Sequence, residues 1–193
     1  MISNQVVEID KESDEYMMLA FQRGDERAFE LLVKRYKNKI LNYIYRYTGD
    51  YSSSEEITQE VFIRVYRSKE RYEIKAKFNT FIYRIAMNLA YNEVRNRNRR
   101  KTEATDNFFF LQDKSTPESL FIREEISENI NKEISKLPAK LKDVVILCNI
   151  QEMSYKEASD VLDISVGTVQ SRLSRARKIL RKNLSMVLNL DGE

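Results

Sequence analysis

The sequence predicts an all-α protein of two small helical domains joined by a flexible linker, with a helix-turn-helix in the C-terminal one. Three observations carry this. Apolar residues recur at three- and four-residue steps through most of the chain, and no stretch alternates with period two for long enough to make a strand. Glycine and proline are scarce, four and two among 193 residues, so the chain encodes few of the turns that sheets need. Near the C-terminus a short capped helix, a tight turn and a second helix follow one another.

The N-terminal elements are read from their stripes. Phe29, Leu32, Val33, Tyr36, Ile40, Tyr43, Ile44 and Tyr47 form one face of a long helix ending near Gly49. Ser52 with Glu55, or Ser53 with Glu56, fits a capping box that opens a second helix, with Ile57, Val61, Phe62, Val65 and Tyr66 inward. After a basic connection through Arg71 and Lys77, Asn79 or Thr80 is placed to cap a third. Its apolar side is Phe81, Ile82, Ile85, Ala86, Leu89, Ala90 and Val94. Residues 102–120 break the periodicity with Thr, Asp, Asn, Ser and Pro around Phe108-Phe109-Phe110-Leu111, which reads as a linker with an aromatic docking patch or, failing that, a short strand. Leu120, Ile126, Ile130 and Ile134 resume helical spacing. Pro138 then starts a helix with Leu141, Val144, Val145 and Leu147, in which Cys148 reads as a small core residue.

The last module is the most specific. Ser154-Tyr155-Lys156-Glu157 is a capping box, and Asp163 tolerates the left-handed backbone of a tight turn. Ser165 caps a second helix from Val166. Val166, Val169, Leu173, Ala176 and Leu180 face inward; Thr168, Ser171, Arg172 and Arg175 share the opposite face. Such a helix suits the DNA major groove, where Arg bonds guanine edges and Ser or Thr reaches bases or phosphates. An amphipathic hairpin packed on the rest of the protein is the competing reading.

Composition excludes several functions. With no histidine, His-based triads, His-ligated zinc or haem and imidazole acid–base chemistry are out, and one cysteine allows no intramolecular disulfide. No cofactor or metal and no catalysis are expected. No apolar run reaches the roughly 18–20 residues of a membrane span. The start Glu8-Ile9-Asp10-Lys11-Glu12 is unlike a signal peptide, so a cytoplasmic protein without membrane insertion is expected.

The net charge of +3 hides segregation. Residues 34–101 carry 17 bases against 7 acids and residues 134–193 carry 10 against 7, while residues 102–133 carry 8 acids against 3 bases. Two basic blocks around an acidic spacer suggest two anion-binding modules. Arg95-Asn96-Arg97-Asn98-Arg99-Arg100-Lys101 and the set Arg172, Arg175, Arg177, Lys178, Arg181, Lys182 are the footprint of nucleic-acid binding.

With these residues in hand, the chain resembles the extracytoplasmic-function (ECF) class of sigma factors in the bacterial sigma-70 family, from about Tyr16 to Leu184. Glu55-Glu56-Ile57-Thr58-Gln59-Glu60-Val61-Phe62-Ile63-Arg64-Val65-Tyr66, Phe78-Asn79-Thr80-Phe81-Ile82-Tyr83-Arg84-Ile85-Ala86-Met87-Asn88 and Ser165-Val166-Gly167-Thr168-Val169-Gln170-Ser171-Arg172-Leu173-Ser174-Arg175-Ala176-Arg177 carry the resemblance, in that order. It implies region 2 at 14–101, a linker at 102–125 and region 4 at 126–188. It further implies a promoter-specificity subunit that binds core RNA polymerase, recognises the −10 and −35 elements and directs initiation. Glu56, Gln59, Glu60, Ile63 and Arg64 would meet the clamp of the largest polymerase subunit, against the plainer reading of a solvated helix face. Phe81, Tyr83, Asn88, Asn92, Arg95, Arg97 and Arg100 would act at the −10 element, the aromatics by stacking on bases and Asn88 by capturing an extruded one; Phe81 also fits the core. Thr168, Gln170, Ser171, Arg172, Ser174, Arg175 and Lys178 would read the −35 element. Asp163 and Ser165 stand where the family commonly has glycine and proline, and Gln170 where relatives often have Arg. An anti-sigma factor is the further partner implied. The rival function is a helix-turn-helix regulator that binds DNA without polymerase, which leaves the block at 78–101 unexplained; a pull-down of core polymerase separates the two. A nucleic-acid hydrolase is disfavoured because the carboxylates are scattered.

Overall fold

The computed structural model describes residue 10, residues 12–103 and residues 130–188. Every regular element among them is helical. Helix α1 (Asp14–Gln22) has no counterpart in the stripes above: it is short and buries only Met18 and Phe21. Its start is nonetheless encoded, since Ser13 Oγ accepts the Tyr16 N–H at 3.1 Å and Asp14 and Glu15 lie in the positive first turn. Helix α2 (Glu26–Thr48) begins at an Asp25 cap and ends at Gly49, whose φ of 71° is the left-handed conformation a glycine adopts without strain. Its buried line Leu32, Tyr36, Ile40, Tyr43, Ile44 and Tyr47 follows the predicted stripe.

Helix α3 (Tyr51–Arg67) corrects the expected capping box. It starts at Tyr51 with Asp50 as cap residue, so Ser52 and Ser53 already lie inside the first turn, and the Ser53 hydroxyl donates to Asp50 Oδ2 at 2.7 Å. Its buried line is Ser54, Thr58, Val61 and Val65; Ile57 and Phe62 are half-buried and Tyr66 is exposed. Two hydroxyls tolerate burial because each bonds a carbonyl one turn back: Ser54 Oγ donates to Asp50 O, and Thr58 Oγ1 to Ser54 O at 2.7 Å. A short 3₁₀ turn (Lys69–Arg71) follows, fastened by the Gln22 amide, which donates to Lys69 O at 2.7 Å and Tyr72 O at 3.2 Å.

Helix α4 (Phe78–Glu103) starts before either predicted cap. The Phe78 N–H donates to Glu15 Oε1 at 2.6 Å, so α1 supplies the acceptor, and Asn79 and Thr80 lie within the helix. Phe78, Ile82, Tyr83, Ala86 and Ala90 are buried, with Phe81, Ile85, Leu89 and Val94 packed at the margin. Apart from Thr102 and Glu103 at the end of α4, the expected linker with its Phe108–Leu111 patch lies outside the described residues.

Helix α5 (residues 130–136) leads to Pro138, which opens α6 (Ala139–Val145) as predicted; α6 runs into a wide turn at Ile146–Ile150 with i→i+5 bonding. Helices α7 (Tyr155–Leu162) and α8 (Val166–Leu188) complete the chain. Val144, Leu147, Ala158, Val161, Val169, Leu173 and Ala176 fill this core, with Cys148 half-buried beside it and its thiol pushed up by burial. In the structure α4 packs on α7, so the two modules are in contact.

Candidate nucleic-acid interface

The turn between α7 and α8 is built from the predicted local devices. Ser154 Oγ accepts the Glu157 N–H at 3.2 Å and Glu157 Oε2 accepts the Ser154 N–H at 3.0 Å, closing the capping box. Asp163 ends α7 at φ 54° and ψ 49°, left-handed as expected, with its N–H on Ser159 O. Ser165 Oγ accepts the Thr168 N–H at 3.2 Å and pairs with Thr168 Oγ1 at 2.8 Å. With Val169, Leu173 and Ala176 locked inward, Gln170, Ser171, Ser174, Arg175 and Lys178 are exposed together on α8. Thr168 is half-buried and occupied by the cap. Arg172 is also half-buried, and its charge acts on Asp143 of α6 within its own module and on Tyr91 of α4 across the module boundary.

On α4, Asn88, Asn92 and Arg95 are exposed at four- and three-residue steps and make one polar line. Two expected −10 residues are not on it. Tyr83 is 1% exposed, its ring edge-on to Tyr43 at 5.4 Å. Starting the helix at Phe78 puts position 83 on the buried side, so its assignment to base stacking is corrected: it is a core residue. Arg97 bonds Asp50 Oδ2 at 2.7 Å and Ser53 Oγ and Thr48 O at 3.3 Å each. It clips α4 to the α2–α3 corner and is not a free phosphate contact; the Ser53 hydroxyl, helped by Arg97, holds the Asp50 carboxyl below its ordinary range. Phe81 is half-buried, edge-on to Tyr72 at 5.5 Å. The side chain of Arg100 lies outside the described residues.

On α3, Glu56, Gln59, Ile63 and Arg64 are exposed and Glu60 is half-buried, paired with Arg64 at 2.7 Å. Ile63 and Tyr66, 43% and 42% exposed, give this polar face an apolar centre. Ile74 is equally exposed in the connection before α4.

A set of residues that sequence reasoning missed joins the modules. Lys77 Nζ meets Glu157 Oε1 at 2.8 Å. The Tyr83 hydroxyl and Gln151 Oε1 lie 2.6 Å apart, and Arg84 Nε donates to Asp160 O at 2.9 Å. The Tyr91 hydroxyl donates to Asp143 Oδ2. Lys142 Nζ sits 5.1 Å above the Tyr47 ring, a cation–π contact, with burial lowering its pKa. The one signal in the sequence was Asp143 itself, a carboxylate inside the apolar run Leu141–Cys148. Among the described residues no helix is long and apolar enough to cross a membrane.

Residues 32–100 match the family model of sigma-70 region 2 and residues 127–180 that of sigma-70 region 4. RNA polymerase sigma-H factor of Pseudomonas aeruginosa is 36% identical over 187 residues, covering 92% of this chain and 97% of the relative. ECF sigma factor SigW of Bacillus subtilis is 36% identical over 172 residues (84% and 92%), and the ECF sigma-E factor of Escherichia coli 34% over 179 residues (87% and 92%). The same fold occurs in the solved structure of CnrH with the cytosolic domain of CnrY, at 22% identity and a TM-score of 0.70, covering 93% of this chain and 99% of that one. It occurs also in sigma factor RpoE with the anti-sigma factor NepR from Bartonella quintana, at 20% identity and a TM-score of 0.67, covering 81% and 96%. With both conserved regions present in order and relatives aligned nearly end to end, this chain belongs to the sigma-70 family of RNA polymerase sigma factors, in its ECF subfamily.

Proposed function

We propose that this protein directs promoter-specific initiation of transcription in the cytoplasm as a subunit of RNA polymerase, with no catalysis of its own. The observation that carries the reading is the exposed set Gln170, Ser171, Ser174, Arg175 and Lys178 on α8 behind a turn capped on both sides, on one chain with the polar line of α4. The α8 set faces the −35 element, where Arg175 is placed to read a base edge and Lys178 to hold phosphate. Asn88, Asn92 and Arg95 act at the −10 strand, Asn88 offering both a donor and an acceptor to an extruded base. The α3 face of Glu56, Gln59, Glu60, Ile63 and Arg64 docks on the polymerase clamp, Ile63 supplying its apolar centre. A protein inhibitor of the anti-sigma class is the expected second partner; RpoE of Bartonella quintana, which shares the fold, was solved with one.

Run-off transcription with purified core polymerase tests this. Specific transcripts from a library of −10/−35 promoters, absent when the protein is omitted, are expected. DNA binding that neither requires nor recruits core polymerase would instead establish a free-standing regulator.

A further inference from the structure

Asp143 is a buried carboxylate among the described residues. It is 2% exposed, and the elements around it face it with phenols and two cations: Tyr43 and Tyr47 from α2, Tyr91 from α4, Arg172 from α8 and Lys142 from its own helix. Oδ2 accepts from Tyr91, while the buried Oδ1 has no hydrogen-bond partner among the described residues. Much of what surrounds it belongs to the other module, so docking is what strips its water.

The geometry points to Tyr91 and Asp143 as a proton-sensitive latch that holds the recognition module against α4 in the free protein and opens when both promoter elements are engaged. The need to open rests on the proposed function; the latch does not. Elements centred at −10 and −35 lie about 25 base pairs apart, roughly 85 Å of duplex at about 3.4 Å per pair. Helices packed like α4 and α7 are separated by only about 8–10 Å. The docked form also fixes Arg84 on the Asp160 carbonyl. Docked modules therefore cannot serve both elements at once. A buried carboxylate with half its acceptors unmet weakens the docked form whenever it is ionised. Burial pushes Asp143 up to about 6 against the lowering pull of Tyr91, Arg172 and Lys142. An acid raised in the docked form favours docking at low pH. That advantage is lost as pH rises from the ordinary carboxylate range through about 6.

The test is energy transfer between dyes at Lys34→Cys and Lys140→Cys, both exposed, in the full chain with Cys148→Ala. The open-to-docked ratio is expected to rise roughly tenfold between about pH 5 and about pH 7. Asp143→Asn, which keeps the acceptor for Tyr91 without the charge, should stay docked across that range; Tyr91→Phe should open at neutral pH. Wild-type and Asp143→Asn curves that coincide overturn the latch. Should Asp143→Asn fail to fold by circular dichroism, an unchanged distance in Tyr91→Phe overturns it alone. Core polymerase with duplex promoter should abolish transfer in the wild type. A latch that titrates but persists in that complex refutes its opening on promoter engagement, whereas a complex that never forms removes the proposed function and leaves the titration standing.

Discussion

Lys77, just before α4, and Glu157, in the first turn of α7, are joined at 2.8 Å, and the same Glu157 carboxylate closes the capping box on Ser154. One side chain thus ties two modules and starts the recognition motif. The Lys77 ammonium, aided by Ser154, pulls its pKa down to about 2. A depressed acid contributes stability above the ordinary carboxylate range and loses it as pH falls toward about 2. Glu157 and Asp143 therefore pull the docked form in opposite directions with pH. Glu157→Ala is expected to cost about 1–2 kcal/mol in urea unfolding at neutral pH, and Glu157→Gln, which keeps a capping acceptor, about half that or less. Equal losses in the two variants would show that the capping geometry contributes nothing.

Glu152 and Asp163 are the two non-glycine residues with positive φ among those described, both at 54°. A left-handed backbone costs a residue with a long side chain roughly 1–2 kcal/mol, and aspartate less. Glu152→Gly should gain up to about 1 kcal/mol after the added freedom of the unfolded chain is offset, a rise of a few degrees in Tm. Asp163→Gly should be nearly neutral. A lower Tm for Glu152→Gly would mean that its side chain, not its backbone, governs the site.

At the −35 element, Arg175→Ala and Lys178→Ala are expected to separate base reading from phosphate holding. The first should relax preference at one position, worth roughly 1–3 kcal/mol. The second should weaken all sequences alike and reduce the salt slope by about one. A uniform loss from Arg175→Ala, seen by competition binding across a −35 library, would move Arg175 to the phosphate class.

Asn88→Ala addresses the −10 strand. Extruding a base costs a few kcal/mol, which a capture site must return through edge hydrogen bonds and stacking. Permanganate reactivity of −10 thymines should fall on duplex promoter and recover on a pre-melted template. A defect that persists unchanged on the pre-melted template, whatever the −10 bases, leaves Asn88 a structural role only.

The sequence by itself determined what local spacing can encode. The long helices α2, α4 and α8, the capping box at Ser154, the left-handed turn at Asp163 and the Ser165 cap each depend on partners within about four residues, so they were legible before any packing was known. The family motifs were legible for the same reason, being short and ordered. Packing between distant segments decided the rest. Glu15, a residue of α1, fixes where α4 begins, and that phase turns Tyr83 inward. Asp50, at the far corner, takes Arg97 out of the basic cluster. Docking of α7 on α4 buries Asp143, whose partners lie 52 residues back in the chain at Tyr91 and further along it at Arg172. No periodicity registers such pairs, because which helix lies alongside is set by the summed burial of whole faces rather than by any neighbouring residue.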